Sequence, residues 1–470
     1  MEGLKTLSFQ YLRMNTELWN NILAFDFDAP PSEYGFSTRL AKENYWTKNF
    51  TREAILEYKK FMYLAATSDL MVSPSAIVDD VWHLHLIFTL SYQEFCNILG
   101  KQIQHVPSTH NPEEFKKFKQ ARDRTKQLYK QEFGEPPQTI WERSSMYDSL
   151  HLSKAKLKLR AFLVIAILAT IALSIPFYHA LRPIYINIDN PYFMLGYVAI
   201  VLFTFGALEI LNRHTMKKVV AEFDKRSFIY NLHPLELVYL KTQDLSAVIN
   251  GEVNQLVEER VIAAHSTNVM ELKQDYEGTK LEHLQIAQVM KQYGKSHYTW
   301  LLRKLKTKPL FRNTQNCMDA FIKYFGKSKK FARLFYANYA FLAIILLLGF
   351  TRLCTGILRE KPILFIMFAV IALAVLIGFY LHRLTKMICT RIIPNLYKSE
   401  ILPARNVEAD WQWSYFLLGT AMLAPSFAAT VKNESMWAKY DGNSGSGASS
   451  CSSCGGGSCG GGGCGGCGGG

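Results

Sequence analysis

Three histidines and one aspartate in a short stretch of the sequence are residue types that could bind a divalent metal ion. Asp79 and His83 are four residues apart, so they share one face of the helix that Pro74 is predicted to begin. His105 follows in the next loop. Neutral imidazole beside a carboxylate can ligate zinc or another divalent ion. We therefore predict a metal site formed by Asp79, His83, His85 and His105.

His85 leaves two interpretations of this stretch open. It lies two positions after His83, and side chains so spaced point to nearly opposite sides of a regular helix. Both can bind one ion only if the helix bends or ends there. The alternative is structural: Asp79 and His83 form a hydrogen-bonded pair that orients Trp82. In that case His85 or His105 is a core histidine with satisfied ring nitrogens.

A catalytic role for the same stretch would need additional groups. Asp80 could act as a general base beside a metal-bound water. In the metal site itself, His110 is an alternative to His105 as the ligand from the following loop. The sequence identifies neither a nucleophile nor a substrate pocket. An enzymatic function is therefore less favoured than a binding function.

The region that would position these residues is predicted to be a cytoplasmic helical domain over residues 1–150. The helical spacing of apolar residues predicts one helix over residues 51–66. A second, charged helix is predicted over residues 112–133, with Asn111 as its N-cap. The first 30 residues do not combine a basic start with an apolar run, so a signal peptide is not expected.

Charge and hydropathy beyond this domain predict a multi-pass membrane protein. The chain has a net charge of +14, yet residues 1–150 hold 17 basic against 19 acidic side chains, so the excess lies downstream. It is concentrated beside apolar stretches, as the positive-inside rule predicts for cytoplasmic flanks. Four uncharged stretches reach the roughly 20 residues that a helix needs to cross a bilayer. They lie between Arg160 and Arg182, Asp189 and Glu209, Arg333 and Arg352, and Lys361 and Arg383.

These stretches are predicted to form two membrane hairpins, over residues 151–212 and 335–382. A fifth uncharged stretch, residues 411–431 within the region 383–441, has a suitable length and an aromatic start, but it contains glycine and proline. It either spans the membrane or lies at the surface packed on other helices. This choice decides on which side of the membrane the C-terminal residues lie.

Between the hairpins lies a soluble insert, residues 213–334, whose two halves differ in charge. Residues 227–290 carry 9 acidic and 4 basic side chains, whereas residues 291–334 carry 12 basic and one acidic. The acidic half is predicted to fold as a helix, a turn, a second helix and an extended segment, similar to a winged-helix module. Its second helix carries acidic residues such as Glu252, so DNA is not an expected partner. The basic half could lie against anionic lipid.

The sequence ends in a segment, residues 442–470, that consists almost entirely of Gly, Ser and Cys. Two Cys-x-x-Cys pairs there could bind zinc, but the surrounding glycine offers no core to preorganise the thiolates. We therefore expect a disordered tail and keep its thiols as a second, weaker candidate site. The cysteines of the tail are Cys451, Cys454, Cys459, Cys464 and Cys467.

A resemblance to a known family covers most of residues 20–142. It is carried by PSAIVDDVWHLHLIFTLSYQEFC, followed by GKQIQHVP and then YKQEFGEPPQTIW. This pattern resembles the N-terminal domain of the glycine-rich domain-containing proteins. The resemblance implies a bacterial multi-span membrane protein with a Gly/Cys tail, and hence the inner membrane. The family pattern has two adjacent histidines before the proline, where this chain has Gln104 and His105.

Two functions follow from the sequence. In the first, which we prefer, the protein is a membrane-anchored scaffold. Its helical domain and winged-helix-like insert would bind protein partners in the cytoplasm. In the second, the WHxH region makes the N-terminal domain a metal-binding enzyme or sensor. The expected fold is mainly α, with a soluble helical domain, four or five transmembrane helices, the insert and the tail.

Overall fold

The computed structural model describes residues 15–106, 112–265, 268–404 and 410–443, and over these residues the chain is mainly helical, as predicted. His110 and the five tail cysteines lie outside the described residues. The N-terminal region contains seven α-helices among its described residues. They are α1 Thr16–Ala24, α2 Phe36–Asn44, α3 Lys48–Thr67, α4 Ala76–Ile87, α5 Thr89–Leu99, α6 Pro112–Phe133 and α7 Gln138–Trp141.

Helix α3 is the central helix of this region, and its apolar face is buried as its spacing predicts. Tyr58, Phe61 and Met62 have no exposed surface. The helix begins three residues earlier than expected because the Thr47 side chain accepts a hydrogen bond from the backbone N–H of Phe50 and caps it.

The buried carboxylate of Glu57 joins α3 to two other helices. One of its oxygens accepts hydrogen bonds from the Tyr129 hydroxyl of α6 (2.8 Å) and from Nε1 of Trp141 of α7 (2.7 Å). The other accepts from Nζ of Lys60 at 2.8 Å. A buried charge is tolerated only when it is paired and hydrogen-bonded, so these contacts fix α6 and α7 against α3.

The first membrane hairpin follows, and the insert comes after it. The hairpin consists of α8 Leu159–Tyr185 and α9 Asn190–Ala221. The insert contains α10 Pro234–Thr242, α11 Leu245–Glu258, β1 Ile262–Ala264, β2 Val269–Leu272, α12 Leu281–Tyr293, β3 Ser296–His297, α13 Tyr298–Leu305 and α14 Pro309–Gly326. The strands form an antiparallel sheet in the order β1, β2, β3, with Ala263 paired to Glu271 and Met270 to Ser296.

The second membrane hairpin consists of α15 Lys329–Leu358 and α16 Leu364–Met387. After α16 the chain continues helically through α17 Ile393–Leu396 to Ile401 and enters the insert, where the Tyr397 hydroxyl donates a hydrogen bond to the Ile229 carbonyl at 2.9 Å. Four helices among the described residues are long and apolar enough to cross a membrane. They are Leu159–Tyr185, Pro191–Ala221, Lys329–Leu358 and Leu364–Ile401.

Buried polar side chains connect the membrane helices. Asn212 of α9 and Asn338 of α15 exchange two amide hydrogen bonds of 2.8 Å, and Asn212 also donates to the Tyr380 hydroxyl of α16 at 2.9 Å. Interhelical hydrogen bonds of this kind contribute on average about 0.6 kcal/mol each in a membrane protein. They fix the rotation of three helices relative to one another.

The N-terminal region lies against the insert. The Lys48 backbone N–H donates to the Glu236 carboxylate at 2.8 Å, and Lys48 Nζ pairs with Glu282 at 2.6 Å. Asn49 Nδ2 donates to the Asn231 carbonyl at 2.8 Å. Two hairpins that cross a membrane would each return the chain to its starting side, so we expect the N-terminal region, the insert and the residues after α16 to lie on the same side.

The fifth apolar stretch forms a bent pair of helices that contacts the insert. Helices α18 Trp411–Leu418 and α19 Pro425–Asn443 belong to two segments that meet at an angle of 68°. The Tyr415 hydroxyl donates to the Ala247 carbonyl of α11 at 2.8 Å, and the Ala424 N–H donates to the Asn254 side chain at 2.7 Å. These contacts favour the surface alternative over a fifth membrane span.

We predict that the tail thiols and the loop between α8 and α9 lie on opposite sides of the membrane. An impermeant thiol reagent applied to intact cells and to inverted vesicles should label the tail in one preparation and the loop thiol of Asn187→Cys in the other. Asn187 is exposed and lies in that loop. A chain with the five tail cysteines replaced by serine is the control. Labelling of both sites from the same side would establish a fifth span.

Candidate metal centre

Helix α4 carries two of the predicted ligands in its first two turns. Ser75 is its N-cap, and the Ser75 hydroxyl accepts a hydrogen bond from the Val78 N–H at 3.2 Å, so the predicted Pro-Ser start is confirmed. Asp79 lies in the first turn, where the helix dipole favours a carboxylate. His83 lies one turn further along the same face.

Asp79, His83 and His105 come together with ligand atoms suitably placed for a metal ion. Nε2 of His105 lies 3.1 Å from one Asp79 oxygen, and Nε2 of His83 lies 3.4 Å from the other. One ligand atom from each residue can be chosen so that all three lie within 4.8 Å of one another. Metal–ligand distances of about 2.0–2.2 Å require ligand atoms separated by no more than about 4.2 Å, so small side-chain rotations suffice.

His105 lies in the loop after α5, and its contacts with α4 fix its position. Its ring contacts Trp82 edge to face at a centroid distance of 4.6 Å, and it contacts His83 at 4.4 Å. Trp82 Nε1 donates to the Tyr92 hydroxyl at 3.2 Å, and that hydroxyl donates to the Ile103 carbonyl. The loop that carries His105 is therefore attached to α4 and α5.

His85, the fourth predicted ligand, does not join this group. Its side chain has no exposed surface, Nδ1 is hydrogen-bonded to the Tyr58 hydroxyl at 2.9 Å, and Nε2 lies 3.2 Å from the Ser91 hydroxyl. Burial lowers the pKa of His85 to about 4. The helix does not bend between His83 and His85, so the two rings point to opposite sides. His85 is thus a core histidine and is removed from the ligand set.

Asp80, the candidate base, is adjacent to the three ligands on the exposed side of α4. Partial desolvation, together with repulsion from Asp79, raises the pKa of Asp80 to about 6, while the nearby His83 opposes the rise. The carboxyl can therefore exchange a proton near neutral pH. Asp80 is not one of the three ligand residues, but it lies next to Asp79 in the chain.

A cavity of about 810 Å³ opens beside the three ligands, and its lining includes Asp79 and His105. Three cationic side chains lie on its other walls, together with the carboxylates of Asp69 and Asp123. The cations are Lys101, Lys119 and Arg122. The sequence did not reveal this pocket, because its lining combines the region from the end of α3 to the start of α4 with the loop after α5 and the middle of α6.

The insert contains a second carboxylate–histidine contact, which has a different character. Glu252 of α11 is 1% exposed, and it accepts hydrogen bonds from Lys280 Nζ and from His283 Nε2, the latter at 3.0 Å. Burial alone would raise the pKa of Glu252, but the His283 hydrogen bond and the charges of Lys280 and Lys48 outweigh it and hold this pKa below the usual value of a carboxyl. The ammonium group neutralises the carboxylate, so the pair is structural. Glu252 lies inside the insert and not on an open face of α11.

The burial of His85 leads to a pH prediction. Its pKa of about 4 is below the value of 6.5 for an exposed histidine, so between these pH values the unfolded chain binds more protons than the folded chain. The free energy of unfolding therefore has its full value above about pH 6.5. It decreases as the pH falls towards 4, by about 3 kcal/mol in total. Thermal unfolding of the full chain in detergent should show a smaller decline between pH 7 and pH 5 for His85→Gln than for the wild type.

The exposed His297 provides the matched control, since its side chain is solvated in the folded chain. His297→Gln should follow the wild-type pH dependence. Parallel curves for the wild type and His85→Gln would show that His85 is not held neutral by burial.

Comparison with known proteins gives one match. Residues 34–132, 99 of the 470 residues, match the family model described as UCP032817-like. No curated protein and no solved structure matches the chain. The matched range runs from the start of α2 to the end of α6 and contains Asp79, His83 and His105. The region that holds the candidate metal centre is therefore similar to an uncharacterised family, UCP032817-like.

Proposed function

We propose that this is a membrane-anchored protein whose N-terminal domain binds one divalent metal ion, zinc first, through Asp79, His83 and His105. The supporting observation is the contact of one carboxylate with two imidazole groups, whose ligand atoms all lie within 4.8 Å. The hypothesis that the sequence analysis ranked second thus becomes the first. Within the described residues this is the one group of three ligand side chains with that spacing.

The site resembles an open metal centre more than a closed structural one. Structural zinc sites usually have four protein ligands, whereas sites that bind a further ligand keep one position for water. The described residues supply three ligands, and the His83 side chain is 58% exposed. The lining of the adjacent cavity carries three cations and three carboxylates, so it offers both kinds of charge to a polar ligand in that position. A metal-dependent sensor or enzyme for a small polar molecule would use such a site.

Metal analysis of the purified full chain in detergent tests this function. The wild type should contain about one equivalent of metal, and His83→Ala and His105→Ala should each lose most of it, because a two-ligand site binds much more weakly. Chelation should lower the melting temperature of the wild type and leave that of the two variants nearly unchanged.

The control is His265→Ala. His265 lies 2.9 Å from the Glu271 carboxylate, so it provides an imidazole beside a carboxylate without a second histidine. This variant should keep its metal. Absence of metal from the wild type at saturating zinc, or its retention in both site variants, would contradict the proposal.

The second candidate function is the membrane-anchored scaffold, and the docking of the N-terminal region on the insert supports it. Contacts between the two include Asn313 Nδ2 with the Thr38 carbonyl at 2.8 Å and Lys308 with Glu33 at 2.7 Å, in addition to those of Lys48. A platform made of two joined regions presents a continuous surface for protein partners. We place this platform in the cytoplasm because basic residues flank the apolar stretches. The resemblance of residues 20–142 to the glycine-rich domain-containing proteins supports the inner membrane of a bacterium as its location.

We interpret the unit formed by α10, α11, β1 and β2 as a winged-helix-like module that serves protein contacts. The second helix of a DNA-binding module presents basic residues to phosphates. Here α11 instead packs its Glu252 inside the insert, and Tyr415 of the C-terminal segment lies against Gly251. With this helix covered, DNA is not a partner that we propose.

The two functions differ in their dependence on metal. For a scaffold, the proteins crosslinked to the full chain in cells should be the same for the wild type and His83→Ala, and they should be lost when the N-terminal region is deleted. Chelation should not change them. If His83→Ala loses the same crosslinks as the deletion while its melting temperature is preserved, partner binding depends on the metal and a purely structural scaffold is excluded.

A further inference from the structure

Three arginines meet one glutamate where α9 and α16 approach the insert. The Glu209 carboxylate of α9 accepts hydrogen bonds from Arg213 Nε at 2.8 Å and from Arg391 Nη1 at 3.0 Å. Its other oxygen accepts from Arg383 of α16. We call these four residues the arginine cluster. The residues come from three separate stretches of sequence, so the sequence pattern alone did not associate them.

The arginine cluster lies at the end of the apolar part of both helices. Glu209 is the first charged residue of α9 after its uncharged stretch, and Arg383 is the first of α16. About 20 apolar residues span the hydrocarbon core, and charged residues that follow directly lie at the depth of the lipid headgroups. The cluster therefore faces the layer that contains lipid phosphates.

The arginine cluster has an excess of two positive charges. Within the described residues Glu209 is the carboxylate that pairs with all three guanidinium groups. Its side chain is 18% exposed, whereas those of Arg213, Arg383 and Arg391 are 41–52% exposed. Each guanidinium has five N–H donors in a fixed plane that suits the oxygen atoms of a phosphate. The carboxylate thus fixes the arginines and leaves their outer donors towards solvent.

An apolar groove continues from the arginine cluster along the membrane surface of the two helices. A cavity of about 520 Å³ is lined by the cluster and by Phe205, Leu376, Phe379 and Tyr380. Phe379 is 69% exposed, and Leu376 is also exposed. The Arg383 guanidinium lies over the Tyr380 ring at 5.7 Å. This contact joins the arginine cluster to the apolar lining of the groove.

We propose that this groove binds an anionic phospholipid. The arginine cluster would hold the headgroup phosphate, and an acyl chain would lie along Phe205, Leu376 and Phe379. A basic pocket between membrane helices beside an apolar surface matches both parts of such a molecule. The proposed lipid site does not depend on the metal centre. In this proposal one lipid is a specific ligand of the protein, in addition to the bilayer that surrounds the apolar helices.

The test measures binding of phosphatidylglycerol to the full chain in non-ionic detergent, by native mass spectrometry and by the change in melting temperature. Phosphatidylcholine and inorganic phosphate are the other two probes. The wild type should bind phosphatidylglycerol and show a higher melting temperature, with no comparable effect of the other two. Equal binding of inorganic phosphate would show a free anion site and overturn the lipid assignment.

Two double variants that remove the same charge distinguish a specific lipid site from general electrostatic attraction of anionic lipid. Each basic residue near the surface contributes about 1 kcal/mol, so the double variant Arg383→Gln with Arg391→Gln should bind phosphatidylglycerol about thirtyfold more weakly. Lys217→Gln with Lys218→Gln removes the same charge from exposed positions of α9 outside the cavity and should have little effect. Equal losses in the two double variants would overturn the proposal.

A third variant decides the question if the arginine double variant does not fold. Glu209→Gln keeps one acceptor oxygen for Arg213 and Arg391, raises the net charge of the arginine cluster from +2 to +3, and should bind phosphatidylglycerol about fivefold more tightly. An ion cluster with only a structural role would be weakened by this substitution with no gain in lipid affinity. Unchanged or weaker lipid binding by Glu209→Gln would contradict the proposed site.

Discussion

The buried carboxylate of Glu57 is the interaction on which the N-terminal region depends. It accepts hydrogen bonds from α6 through Tyr129 and from α7 through Trp141, so the long charged helix α6 stays against α3 despite its small apolar face. Lys119 and Arg122 of the cavity lining belong to α6, and Asp79 belongs to α4. The Glu57 contacts therefore help to hold α6 beside the candidate metal centre.

Local sequence patterns predicted those features that depend on neighbouring residues. The Pro-Ser start of α4, the shared face of Asp79 and His83, and the four membrane helices follow from spacing over a few turns. The sequence left open whether His85 is a ligand or a core histidine, because the deciding contact is with Tyr58, 27 residues earlier in the chain. The cavity and the arginine cluster likewise combine residues from distant segments, for which a single sequence carries no signal.

The apolar stretch after residue 410 shows the same limit. Its composition is compatible with a membrane span, and only its contacts with α10 and α11 favour a different position. Hydropathy indicates whether a segment can be buried away from water. It does not distinguish burial in lipid from burial against a protein surface. The insert offers such a surface, with Gly251 giving room for the Tyr415 ring.

The central claim is that two imidazoles and a carboxylate of the N-terminal region hold a metal ion. X-ray absorption at the zinc edge of the full chain tests it directly, because Zn–N and Zn–O distances of about 2.0–2.2 Å differ from Zn–S distances of about 2.3 Å. The account predicts a nitrogen and oxygen shell with the multiple-scattering signature of about two imidazoles, lost in His105→Ala. A shell of sulfur ligands would assign the metal to cysteines instead, and the absence of bound zinc would contradict the claim altogether.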